Sequence, residues 1–367
     1  MTRGLSLHLD MLRLLAALEV LAFHISGFPA FGFERTMFNS HGHEAVTIFF
    51  VLSGFVIRHA AGARDANLQG FVVSRLTRVY SVVLPCLVLT FAMDVVGPHW
   101  ARDLYTGLIT DGSPFVRLAI GALMLNEAWV SVQMLSNTPY WSISYEVAYY
   151  ALFAGLFYLR GWQRWCAAVL IALIAGPRIL LLFPIWAIGW WAYRESASHS
   201  FPKWLSWRLF AQPILIFGLY ASFELIKVNH AFIVPFIGFD AWRYGFAWSR
   251  YVLTDTVLGM SIAAHLIGAK GLSEPLALAY GWLEKPIRYF AGQSFTLYLL
   301  HQPAMLFVGA VLSGVTLGAY YGWAVALGTM AIVSLVAHVT ESQRGRLKPI
   351  IAAIVTAVPR MKRKVFA

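Results

Sequence analysis

Charge is scarce in this sequence. Asp, Glu, Lys and Arg make up only 12% of its 367 residues, against about 25% in ordinary soluble domains. That deficit argues against a water-soluble globular domain. Cysteine is scarcer still. Cys86 and Cys166 both fall in apolar runs, so neither a disulfide framework nor a metal site is expected. No polar block or Gly/Ser-rich linker exceeds about 25 residues, so nothing marks off a second globular domain. There is no internal repeat and no low-complexity stretch. No G-x-S-x-G elbow or Walker loop occurs. Ser53, in FFVLSGFVI, resembles no hydrolase nucleophile context, and Gly54 beside it reads as a site of close helix packing. Basic runs interleaved with aromatics are missing, so nucleic acid is not an expected partner despite a net charge of +11. The first apolar run lacks a small-residue cleavage site and carries Glu19 and His24, so it is expected to persist as a helix rather than be removed as a signal peptide.

What the chain does have is apolar length. Hydrophobic residues make up 59% of it, and runs near the length needed to cross a bilayer recur from end to end. Spans are predicted near 11–28, 44–61, 79–97, 140–159, 164–177, 178–193, 209–226, 251–268, 289–312 and 320–340. The fold class is therefore an all-α polytopic membrane bundle of about ten transmembrane helices. The spans at 164–177 and 178–193 form a short, tight pair turning at Gly176-Pro177.

One further apolar run, 115–130, is ambiguous because it contains Arg117, Asn126 and Glu127. Charge counting decides how to treat it. If it does not cross, the only Lys and Arg outside are Arg35, Arg102, Arg117, Arg178, Lys227, Arg243 and Arg250. If it crosses, every later segment flips and most downstream basic residues move outside, against the positive-inside rule. The run is therefore read as a re-entrant or interfacial helix in an outer loop, with both termini cytoplasmic. Residues 1–343 form the membrane unit and 344–367 a basic cytoplasmic tail. The tail's apolar stretch Ile350–Val358 is too short to span and is expected in the interface. The outer loop 228–250 is rich in aromatics, which fits an interfacial belt or a stacking surface for a sugar.

Ionisable groups inside spans are costly and so mark candidate function. Arg13 and His24 lie eleven residues apart on the first span, about 20° apart in direction and roughly 16 Å apart in rise. Both therefore share one face. Glu146, in WSISYE, is predicted at a depth similar to His24, with Ser142 one turn away on the same face. A carboxylate beside a histidine fixes its tautomer and favours the imidazolium, which makes a serviceable general base. A satisfied core histidine and a packing carboxylate would give the same pattern.

Arg75 and Arg78, three apart at the entrance of the third span, share a helix face. Their planar forks suit phosphate, but positive-inside anchoring, with Arg58, His59 and Arg64 nearby, fits equally. In SFTLYLLHQP, His301 either lines the cavity of His24 or is a buried, hydrogen-bonded histidine, with Tyr298 on nearly the same face. His41, His43 and Glu44 form at most a weak metal pattern and read as a polar loop. Glu19 faces away from His24 and reads as an interhelical contact. Asp94, Glu224, Asp255 and His265 receive no role.

Taken together, LDMLRLLAALEVLAFH, FFVLSGFVI, RLTR, WSISYE and SFTLYLLH, in that order, resemble the acyltransferase-3 family of integral membrane O-acyltransferases. The likeness covers essentially the whole chain. It implies transfer of an acyl group, acetyl being the commonest, from cytoplasmic acyl-CoA to a hydroxyl of a cell-surface or lipid-linked carbohydrate such as exopolysaccharide or lipopolysaccharide. It also implies the bacterial cytoplasmic membrane as the location and no permanently bound cofactor. The family's arginine–histidine motif lands on Arg13 and His24, its paired arginines on Arg75 and Arg78 as contacts for the CoA phosphates, and its Trp-Ser-Glu motif on Trp141, Ser142 and Glu146. On this reading His24 and Glu146 are catalytic, while Arg13, Ser142, Trp141, Tyr298 and His301 line or support the cavity. Glu19 departs from the expected apolar pattern, and the terminal pattern near Glu341 is loose. The chain is expected to carry no extra hydrolase-like domain. A transporter or flippase for a glycan or lipid-linked substrate is the alternative that the same intramembrane polar residues allow.

Overall fold

The computed structural model describes residues 1–36, 39–63, 65–108, 112–222 and 226–357. Arg64, Glu224 and the tail residues 358–367 lie outside them. Among the described residues the chain is all α-helical, with no strand. The helices are α1 (Arg3–Ile25), α2 (Gly42–Ala63), α3 (Leu68–Val96), α4 (Pro114–Ala122), α5 (Trp141–Tyr158), α6 (Gly161–Ser198), α7 (Lys203–Ser222), α8 (Ile226–Ile237), α9 (Val252–Gly271), α10 (Ser273–Tyr280), α11 (Glu284–Ala291), α12 (Ser294–Leu312), α13 (Tyr321–Val339) and α14 (Arg344–Ala357).

Six segments among the described residues are long and apolar enough to cross a bilayer. Helices α1 and α5 are not among them. Both carry polar residues that face the protein interior: Asp10, Arg13 and Glu19 on α1, and Ser142, Ser144 and Glu146 on α5. The segment centred on α12 is 78% buried within the protein, whereas that of α6 is 22% buried. Thus α12 is a central helix, packed against α1, α3 and α13, whereas the first arm of α6 exposes Trp162, Trp165, Val169, Leu170, Leu173 and Ile174.

Several boundaries differ from the sequence reading. Helix α1 begins at Arg3, ahead of the apolar run, and α3 begins at Leu68. The Asn67 side chain caps α3 by accepting from the Gly70 N–H at 2.8 Å. Arg75 and Arg78 therefore sit within α3 rather than at its entrance. Helix α4 has nine residues, a rise of roughly 14 Å, too short to span. After it the chain turns back and is tied to the end of the bundle expected from the charges to be the outer one. Asp94 at the end of α3 accepts from the Ser136 N–H and hydroxyl at 2.8 and 2.6 Å. The Asn137 and Gln302 amides bond the Leu299 and Ser136 carbonyls at 2.7 and 2.8 Å. This loop thus braces the turn of α12 that carries His301.

Within α6 the chain reverses at Gly176, whose φ of 79° breaks the helix. Ala167 and Ile171 lie beside Gly155 on α5, and Trp129 donates to the Leu173 carbonyl. Beyond the turn, Arg178 donates to the outer-loop carbonyls of Gly245 and Tyr244, and Trp186 returns to Phe153. The two arms are antiparallel, as the pairing of 164–177 with 178–193 anticipates. The second arm presses on α2 without side chains between the backbones. A Cβ on Gly54 would lie 2.1 Å from the Trp186 carbonyl oxygen, and one on Gly189 would lie 2.0 Å from that of Val51. That approach brings Ser53, adjacent in sequence, into the interior.

Candidate active site

On the side expected to be inner, a cavity opens between α1, α2, α3, α5 and α12. Its polar lining is Arg13, Ser53, Arg75, Arg78, Ser142, Glu146, Tyr150, Ser294 and Tyr298, against a wall that includes Phe49, Phe50 and Phe295. Two further cavities open beside it and share Arg78 with it. Sequence spacing alone places Arg75 and Arg78 on one helix face; the structure adds that this face looks into the cavity.

Each cation is positioned differently. Arg75 is tethered, its Nη2 donating to Asp65 at 3.0 Å and to Ser74 at 2.8 Å. Arg78 lies with its guanidinium 5.9 Å from the Phe295 ring centre. Arg13 pairs with Asp10 at 3.2 Å and also lines the cavity. Arg13 thus balances Asp10 and walls the cavity at once. Asp10 is held in turn by Arg288 at 3.1 Å.

Glu146 and His24 are not partners. Among the described residues, the Glu146 carboxylate accepts from the Ser53 hydroxyl at 3.2 Å and, in a short bond, from the Tyr150 hydroxyl. It therefore faces the arginine-lined cavity. The physical reason is depth. His24 is in the last turn of α1, whereas Glu146 is five residues into α5, a rise of roughly 8 Å inward from that helix's outer end. Tyr150, one turn beyond Glu146, was readable from the sequence as an i,i+4 neighbour. Ser53, on another helix, was not.

His24 meets His301 instead. Nε2 of His301 lies 3.2 Å from Nδ1 of His24, and the ring centres are 4.9 Å apart. His24 Nδ1 also faces the Val20 carbonyl at 2.8 Å. His301 Nδ1 faces the Leu297 and Tyr298 carbonyls at 3.0 and 2.9 Å. A carbonyl can only accept, so the hydrogen of each neutral ring sits on Nδ1. His301 Nε2 is then an acceptor for the His24 N–H, and His24 is left with a lone pair on Nε2. His301 is fully buried, while His24 is partly accessible. The two possibilities raised for His301, a place beside His24 and a buried, bonded histidine, are both met.

Neither histidine lines the inner cavity. Its outer end is the Ser142 hydroxyl, 2.8 Å from the Tyr298 hydroxyl, which also donates to the Pro139 carbonyl at 3.0 Å. Tyr298 and His301 are one turn apart on α12, so the histidine pair stands one turn outward of this hydroxyl pair. Trp141 lies further out, stacked between Trp248 at 5.0 Å and His43 at 6.2 Å. Trp248 thereby leaves the aromatic outer loop for the bundle, whereas Phe232 and Phe236 remain exposed.

Residues without a role in the sequence reading also find partners. Asp255 accepts from His43 Nε2 at 2.9 Å and from the Thr47 hydroxyl at 3.1 Å. His265 Nε2 lies 2.7 Å from His8 Nε2. Glu19 accepts from the His41 backbone N–H at 2.9 Å, a contact from α1 to the residue just before α2 rather than between two helices. These pairs join residues more than 200 positions apart or in different segments, and no local pattern announces them.

No solved structure matches this chain. Acyltransferase MdmB of Streptomyces mycarofaciens is 30% identical over 191 residues, 47% of this chain and 46% of that protein. An O-acetyl transferase of Shigella phage Sf6 is 39% identical over 131 residues, 32% of this chain and 34% of that protein. The chain thus matches less than half the length of each of these relatives. A family model described as "Acyltransferase domain" matches residues 7–338. Nearly the whole chain is covered by that match, and it belongs to the acyltransferase-3 family of integral membrane proteins.

Proposed function

We propose that this protein transfers an acyl group, acetyl in the first instance, from cytoplasmic acyl-CoA to a hydroxyl of a cell-surface or lipid-linked carbohydrate, in the bacterial cytoplasmic membrane with both termini cytoplasmic. The observation that carries this reading is the arginine-lined cavity ending one turn from a histidine with an available lone pair. Arg75 and Arg78 hold donor phosphates through bidentate, charge-assisted hydrogen bonds. The apolar wall accepts the donor's extended arm. Its thioester passes the Ser142–Tyr298 pair to reach His24.

There the acceptor oxygen attacks the thioester carbonyl while its proton passes to Nε2 of His24. The C–S bond breaks and the sulfur leaves as thiolate. The proton returns from Nε2 to that sulfur, so atoms and charge balance over the cycle. His301 stabilises the transient imidazolium by accepting from its Nδ1–H, the role that spacing had assigned to Glu146. Glu146 instead holds Ser53 and Tyr150 in the wall of the passage and offers acceptor oxygens to amide N–H groups of the donor arm. The Trp141–Trp248 stack near the outer end supplies an aromatic surface on which a sugar ring can lie.

The test is release of free CoA and formation of an acyl ester by the purified protein with acetyl-CoA and membrane glycan. His24→Ala, inserted and monodisperse, is expected to form no ester. Wild-type transfer by that variant, or no use of any acyl-CoA by the native protein, would overturn the reading.

A further inference from the structure

We propose that helix α14 belongs to the donor site, and that Arg344 and Lys348 form with Arg75, Arg78 and Thr77 a subsite for the 3′-phosphate of the donor nucleotide. The inference rests on the acyl-CoA reading above and adds residues that reading does not contain.

One of the cavities that open beside the inner one is bounded on one side by Asp65, Ser74, Arg75, Thr77 and Arg78. On the other it is bounded by Ser342, Arg344, Gly345 and Lys348. Helix α14 packs along α3, and Arg344 and Lys348, four apart, project from one of its faces. Four cations thus line the cavity with a single carboxylate, Asp65, which is already engaged by Arg75 at 3.0 Å. Arg344 and Gly345, in the first turn of the 14-residue α14, border the same space, so the positive end of the helix dipole lies there.

An independent observation comes from α3. Thr77 is 5% exposed, and its hydroxyl has no hydrogen-bond partner among the described residues. Buried Nε of Arg75 is likewise unpartnered. An orphaned buried donor costs about 1–3 kcal/mol, so a site carrying two asks for a ligand that accepts. A phosphate monoester offers only acceptors and negative charge. The shared residues Arg75 and Arg78 connect this cavity to the inner one. A nucleotide head bound here therefore sends its arm toward Ser142 and Tyr298, the direction transfer requires.

The experiment compares acetyl-CoA with 3′-dephospho-acetyl-CoA in the full-length protein, alongside calorimetric binding of adenosine 3′,5′-bisphosphate and AMP. The native protein is expected to bind the bisphosphate more tightly than AMP and to show a KM for the dephospho donor higher by about 10-fold or more, the worth of one charge-assisted contact. Arg344→Ala/Lys348→Ala is expected to raise KM for acetyl-CoA by a similar factor, leave kcat within about 2-fold, and abolish the discrimination. Thr77→Val, which keeps the shape, is expected to shift KM in the same sense, and Lys285→Ala, away from the cavity, to change nothing. Equal KM values for the two donors in the native protein would overturn the proposal, as would discrimination retained by the double variant. So would loss of phosphatidylglycerol retention in place of nucleotide binding, which would assign the site to a lipid headgroup. Arg344-dependent bisphosphate binding by a protein that transfers no acetyl group would instead uphold the subsite while sinking the transfer reaction.

Discussion

Nε2 of His301 lies 3.2 Å from Nδ1 of His24, and this contact acts with the Val20 carbonyl, 2.8 Å from the same nitrogen, to fix the His24 tautomer. Because His301 spends its own N–H on two backbone carbonyls, it meets His24 only as an acceptor. That pins the His24 hydrogen on Nδ1 and leaves Nε2 for chemistry. In the proposed reaction His301 is thus a positioning residue that acts through His24.

His301→Ala is accordingly expected to lower kcat by about 10- to 100-fold, part of the 10²–10⁴ available to general-base catalysis, with KM for acyl-CoA unchanged. His301→Gln, whose amide oxygen can accept from the His24 N–H, is expected to recover part of the loss. A merely structural role for His301 would lower the thermal midpoint of both variants and show no such split. Steady-state kinetics and thermal unfolding of the three proteins distinguish the cases.

Arg78 lines all three cavities, so Arg78→Ala is expected to raise KM for acyl-CoA by about 10- to 100-fold, the loss of a charge-assisted contact. Arg78→Lys should not restore it, because a point charge does not replace a planar fork. Arg75→Ala is expected to do more than raise KM, since it also leaves buried Asp65 without its partner. Kinetics with melting curves would separate these two arginines.

Glu146 gathers the hydroxyls of Ser53 and Tyr150, so Glu146→Ala removes the acceptor they share and leaves Ser53 with Trp186 Nε1 at 3.2 Å and the Tyr150 oxygen at 3.4 Å. A stability loss of about 1–3 kcal/mol is expected. Glu146→Gln, which retains an acceptor oxygen, should lose less. If Glu146→Ala kept full stability while abolishing ester formation, the carboxylate would instead belong to the reacting atoms. Denaturation in detergent, read beside ester formation, reports both.

Gly54 has no room for a side chain, since even a Cβ would sit 2.1 Å from the Trp186 carbonyl oxygen. Gly54→Val is expected to force α2 and α6 apart at a cost above the 1–3 kcal/mol typical of overpacking, with loss of monodisperse protein on size exclusion. Gly345→Ala, where a Cβ meets nothing within 4 Å, should be tolerated.

Much of this molecule is dictated by local sequence. Lipid demands that apolar length be helical and that backbone groups be satisfied within the segment, so α2, α5, α9 and α13 lie close to the runs that announce them. Gly176-Pro177 forces a break wherever the arms go, and RLTR places two arginines on one face by periodicity alone. The family motifs likewise bring Arg13, His24 and Glu146 forward as polar residues in costly places.

Partnership was decided only in three dimensions. His24 and His301 are 277 residues apart, and which carboxylate or imidazole reaches His24 depends on the depth and rotation of α1, α5 and α12 relative to one another. A difference in depth of about two helical turns, roughly 10 Å, separates the Glu146 partner that spacing favoured from the His301 partner that packing supplies. The same holds for α14. A basic, partly apolar segment reads as a membrane-surface tail, and only its packing along α3 turns Arg344 and Lys348 toward Arg75 and Arg78. Composition and period set what each segment is, while close packing of the segments sets what each side chain can reach.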